Sequence, residues 1–66
     1  MIREHALSRF QIEAVITGSE LDVRREFEDY SDRYLVFGYD ACVQETPHEV
    51  APGEWRAVIT RFHSCD

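Results

Sequence analysis

Hydrophobic and polar residues alternate from Arg9 to Thr17. Phe10, Ile12, Ala14 and Ile16 fall on one side, and Arg9, Gln11, Glu13 and Thr17 on the other; only Val15 breaks the rule. A period of two with one wet side predicts a strand on a sheet that faces water on one surface. Gly18-Ser19 ends that run. Ser19 is followed three residues later by Asp22, a weak form of the capping box that satisfies the first N–H groups of a helix. Glu20 and Asp22 in the first turn also suit the helix dipole. Val23, Phe27, Tyr30 and Tyr34 then recur at intervals of four, three and four. This apolar stripe predicts a helix over 20–32, whose opposite face carries Asp22, Arg25, Glu26, Asp29 and Asp32.

Alternation resumes from Tyr34 to Gln44, with Leu35, Phe37, Tyr39, Ala41 and Val43 on one side. Gly38 inside it suggests a bulge or a close backbone approach. Pro47 and Pro52-Gly53 mark 45–54 as a loop. Trp55 to His63 reads as the last strand, apolar on both sides: Trp55, Ala57 and Ile59 on one, Val58 and Phe62 on the other. The predicted fold class is α+β, one small domain over 1–66 in the order β-α-β-β. One helix covers one face of a three-stranded sheet. The last two strands form an antiparallel pair, and the helix links the first strand to the second, with a right-handed crossover if those two run parallel.

Length and charge narrow the function. Sixty-six residues suit one domain, and no run approaches the ~20 apolar residues of a membrane span. Met1 to His5 lacks the apolar stretch of a signal peptide, so a cytoplasmic protein is expected. Thirteen acidic residues against seven basic ones leave a net charge of -6, which argues against direct binding of nucleic acid. All seven basic residues are arginine. That composition fits codon bias in a GC-rich genome, or a use of arginine for bidentate contacts with carboxylate or phosphate. A chain this short buries only about 60% of its unfolded surface. A deep substrate pocket would remove core volume that it needs, so no enzyme is expected.

The metal-binding residue types are scattered. His5, Cys42, His48, His63 and Cys65 contain one close pair, His63-Ser64-Cys65, whereas zinc sites are usually built from two. Neither a zinc site nor another cofactor is expected. A Cys42–Cys65 bridge fits the pairing geometry poorly, so both cysteines are read as free thiols. Neither is placed as a nucleophile, because Cys65 lies one residue from the end of the chain and Cys42 has no evident partner.

Two surfaces suggest a binding role. Asp22, Glu26, Asp29 and Asp32 line one side of the helix, where carboxylates at helical spacing imitate phosphates and steer a basic partner. The plain alternative is a solvated face with an Arg25–Asp29 pair. The sheet face away from the helix is read as bare, with Val36, Cys42, Trp55, Ala57 and Ile59 on it and Arg56 and Arg61 alongside. Such a patch marks an interface, unless a register shift turns Trp55 and Ile59 inward. The reading is a small acidic inhibitor or adaptor that binds a larger, nucleic-acid-handling protein machine with a basic surface. Phages and mobile elements carry such proteins against CRISPR complexes, restriction enzymes and polymerases, and immunity proteins and antitoxins are similar in size and charge. The alternative is a homodimeric housekeeping domain or subunit that uses the bare sheet face as its interface. A small metal-binding module ranks third.

Overall fold

A computed structural model describes residues 1–34 and 41–62. Two strands, a helix and two more strands follow one another: β1 (Ile2–Ala6), β2 (Gln11–Gly18), α1 (Glu20–Tyr34), β3 (Ala41–Ala51) and β4 (Glu54–Phe62). The strands form one four-stranded sheet in the order β1-β2-β4-β3, with every neighbouring pair antiparallel. The α+β class and the single helix agree with the sequence reading. The strand count and order do not.

The first correction is β1. Its five residues pair with β2 in an unbroken register from Ile2↔Ile16 to Ala6↔Ile12. Glu4 sits on the helix side at its centre, so the apolar alternation that would announce a strand is interrupted. The second correction concerns the centre of the sheet. β4, not β3, lies beside β2, with Ile59 opposite Ala14 and Ala57 opposite Ile16. Because β4 runs antiparallel to both neighbours, β2 and β3 point the same way, but β4 is inserted between them.

The third correction is the stretch read as a loop. β3 continues to Ala51, and only Pro52 and Gly53 make the turn. Gly53 has φ 77°, a value that favours glycine and that a type II turn requires after a proline. Pro47 is tolerated because β3 is an edge strand and because its register slips between Glu45 and His48. At the other end, Tyr34 is the last residue of α1 rather than the first of a strand. Residues 35–40 of the strand predicted over Tyr34 to Gln44, including Val36 and Gly38, lie outside the described residues, as do His63 and Cys65.

The helix begins as its sequence implies. The Asp22 N–H donates to Ser19 Oγ at 3.3 Å, and the Val23 N–H donates to the Ser19 carbonyl at 2.9 Å. Gly18, at φ 146°, makes the corner from β2 into the helix. The stripe then packs on the sheet. Val23 and Tyr30 are buried among Ala14, Ile16, Ala57 and Ile59, with Phe27, Tyr34 and Trp55 at the margin. Ala14 and Ala57 are short, so they let the helix approach the sheet between the bulkier Ile16 and Ile59. No helix among the described residues is long and apolar enough to cross a membrane.

Candidate functional site

The register assigns each strand residue to a face. Ile2, Glu4 and Ala6 of β1 lie with Ile12, Ala14 and Ile16 of β2 and with Trp55, Ala57, Ile59 and Arg61 of β4, all under the helix. The opposite face carries Arg3, His5, Glu13, Val15, Arg56, Val58 and Thr60. This corrects the predicted sheet patch. Ile59 is fully buried in the core and offers a partner no surface. Trp55 is half-buried against the same core, with the Arg24 guanidinium 5.1 Å from its ring. Ala57 and Arg61 also lie on the helix side, and of the predicted patch Arg56 and Cys42, the latter opposite Thr60, stay on the uncovered face. The register that turns Trp55 and Ile59 inward is the one present.

Arg61 closes a polar cluster between helix and sheet. Its Nε donates to Tyr30 Oη at 2.9 Å and its Nη2 to Glu4 Oε2 at 3.0 Å, while Tyr30 Oη donates to the same carboxylate oxygen at 3.0 Å. The guanidinium stacks 4.4 Å from the centre of the Tyr34 ring. The side chain is only 15% exposed. The hydrogen bond from Arg61 lowers the Glu4 pKa. Burial is the main reason that the Tyr30 phenol is pushed up to about 12. The three side chains bond one another, so the cluster ties β1, α1 and β4 together.

The uncovered face is held by cross-strand polar pairs. Arg56 grips Glu45 through three contacts, Nε to Oε1 at 3.1 Å and Nη2 to Oε1 and Oε2 at 2.8 and 3.0 Å. This is the bidentate use of arginine that the lysine-free composition suggested. His48 Nε2 lies 3.3 Å from the same carboxylate, and His5 Nε2 lies 3.0 Å from Glu13 Oε1. Gln44 donates to Thr60 Oγ1 at 3.0 Å. Glu13, Gln44, Glu45, Arg56 and Thr60 line a shallow concavity of about 500 Å³ together with Val15 and Val58. Among the described residues no three His, Cys, Asp or Glu side chains gather where a metal ion could bind. Cys42 is an exposed thiol on β3.

The outer face of α1 is the third surface. The helix carries six acidic and three arginine side chains. Val23 and Tyr30 point to the sheet, and at 100° per residue the directly outward positions are Leu21, Arg25, Glu28 and Asp32, with Asp22 and Asp29 on one flank. All six are exposed. Glu26 departs from the prediction: its carboxylate is turned to the side, 2.8 Å from the Met1 nitrogen. The expected Arg25–Asp29 pair is replaced by two others, Arg24–Glu20 at 3.1 Å and Arg33–Asp29 at 3.6 Å. Among the described residues Asp22, Glu28 and Asp32 have no ion-pair partner, and neither does Arg25, so the outer face keeps a net negative field after one arginine is set against the three carboxylates. Leu21, 64% exposed, is a large apolar side chain within it. Glu28 and Leu21 were missed in the sequence. The one follows from its four-residue spacing to Asp32, the other from its position away from the Val23–Phe27–Tyr30 stripe.

No protein-family model, curated protein or solved structure matches this chain.

Proposed function

We propose that the protein is a small non-catalytic binding module, an inhibitor or adaptor, that docks the outer face of α1 on a basic surface of a larger, nucleic-acid-handling protein. The observation that carries this reading is the exposed carboxylates of Asp22, Glu28 and Asp32, which have no ion-pair partner among the described residues, on the face that also carries the exposed Leu21. A negative field on a convex rod steers a basic partner toward it and aligns the encounter. An exposed apolar side chain at the N-terminal end of the same face, Leu21, supplies a contact that excludes water once the partner arrives. The helix is well suited to present that face, because its other side is fixed by Val23 and Tyr30 in the core and by the Tyr30–Glu4–Arg61 cluster. The uncovered sheet face supports a partner less well. Arg56 on it is already taken by Glu45 and Glu13 by His5, and its concavity is shallow.

Affinity capture from a host lysate tests the reading when it is run with two baits, the wild type and an Asp29→Arg/Asp32→Arg variant. A large basic protein retained by the wild type and lost by the variant supports it. Equal retention by both baits contradicts it.

A further inference from the structure

The hydrogen-bond pattern of β1 shows which of its backbone groups face outward. Met1 and Thr17 exchange hydrogen bonds, N to O at 2.7 Å and O to N at 2.9 Å, and the Leu7 N–H donates to the Gln11 carbonyl at 2.9 Å. Bonded pairs alternate along an antiparallel ladder, so the odd residues of β1 point their N–H and C=O groups at β2. The N–H and C=O groups of Ile2, Glu4 and Ala6 therefore point away from the sheet, at an edge that no described strand covers. The edge is straight: its register with β2 has no shift, and it holds no proline. The opposite edge, β3, has three register shifts and Pro47, devices that discourage pairing.

We infer that the outer edge of β1 pairs with β1 of a second copy of this chain, antiparallel and centred on Glu4. The sequence around Glu4 is nearly palindromic in character: two apolar residues, three polar ones, two apolar ones. Pairing about Glu4 sets Ile2 opposite Ala6 and Met1 opposite Leu7 of the second copy, and the symmetry repeats both contacts. Met1, Ile2 and Leu7 are all large exposed apolar side chains, and the pairing covers them. It also gives partners to the outward N–H and C=O groups of Ile2, Glu4 and Ala6 in both copies.

The two central carboxylates do not oppose the pairing. Each Glu4 is drawn inward, across β2, by Arg61 of its own chain at 3.0 Å. On the other face Arg3 meets His5 of the second copy, whose ring lies 3.0 Å from Glu13, so each Arg3 approaches a carboxylate. Antiparallel pairing in one sheet requires a two-fold axis perpendicular to that sheet. The result is a continuous eight-stranded sheet with both helices on one side, so two acidic helix faces look the same way. The inference does not depend on the proposed role of those faces.

Sedimentation of the wild-type chain, together with intermolecular contacts in a mixed-isotope sample, tests the pairing. A five-residue edge makes a small interface, so the expected dimer dissociates at up to about 1 mM. The wild type should approach twice its 7.7 kDa mass. It should show an intermolecular Hα–Hα contact between Arg3 and His5, which form a close non-bonded pair in this register. Ala6→Pro removes an outward N–H without touching the β1–β2 ladder, and it should weaken association at least about ten-fold. A wild-type chain that stays monomeric to that concentration, a dimer without the Arg3–His5 contact, or a folded Ala6→Pro chain that associates as before would overturn the inference. Should Ala6→Pro not fold, the wild-type contact decides alone.

Discussion

The two faces of the sheet are built on different principles. Under the helix, Ala14, Ile16, Ala57 and Ile59 are fully buried, and the one charged cluster there, Glu4–Tyr30–Arg61, is closed within the chain. On the uncovered face no layer lies above the strands among the described residues. Glu45–Arg56 and His5–Glu13 bridge neighbouring strands in contact with water. Dehydration of apolar surface carries the first face, and cross-strand charge pairing finishes the second. The contrast shows why an apolar strand such as β4 need not create a sticky patch. Trp55 and Ile59 go to the face that the helix covers; on the other, Val58 is shielded by the long side chains around it, and only Phe62, at the end of the strand, stays exposed.

The contrast is broken most severely from the helix side. Ile59→Asp places a carboxylate in the core with no partner and should unfold the protein, because the burial of an unpaired charge exceeds what a small domain can tolerate. A cooperative thermal melt close to wild type would show that Ile59 is not core.

The polar cluster under the helix should respond to pH at both ends. The Tyr30 phenol is raised from 10.0 to about 12, so its contribution is intact below pH 10 and is lost as pH rises toward 12. That loss is at most about 3 kcal/mol at ~1.4 kcal/mol per pKa unit, and Tyr30→Phe should abolish it in alkaline denaturation curves. Glu4 is shifted the other way. Its contribution is present above the usual carboxylate range and falls away as pH drops through its lowered value. An alkaline limb unchanged in Tyr30→Phe would separate the phenol from the stability of this face.

The smallest effect on folding belongs to the uncovered face. Arg56→Ala removes the grip on Glu45 where both side chains are partly in water, and should cost about 1 kcal/mol in chemical denaturation. A loss as large as that of Ile59→Asp would mean that this face, too, is held by a buried network.

Much of this architecture is readable in the chain, and the failures share a cause. The helix is legible because Ser19, Asp22 and the Val23–Phe27–Tyr30 stripe agree with one another. β2 is legible because its alternation is nearly unbroken. β1 is hidden because an inward Glu4, neutralised by an arginine 57 residues away, looks like an outward one. The second half of β3 is hidden because its bulges shift the parity of inward and outward positions around Pro47. Pro52-Gly53 between two candidate runs was the available sign of a hairpin with a two-residue turn. The facing of β4 could not be read from its own residues, since both sides are apolar. Its register against β2 settles it. On the helix, Asp22, Asp29 and Asp32 are exposed as their spacing implies, whereas the turn of Glu26 toward Met1 depends on β1, which the pattern did not reveal.

The association rate with a captured partner, measured at low and at physiological ionic strength, tests the docking role of the outer helix face most directly. Asp29→Arg/Asp32→Arg should slow association about ten-fold or more at low salt, with a smaller difference at higher salt and an almost unchanged melting temperature. Equal rates for the wild type and the variant at both ionic strengths would contradict the account and leave the acidic face as a solvated surface.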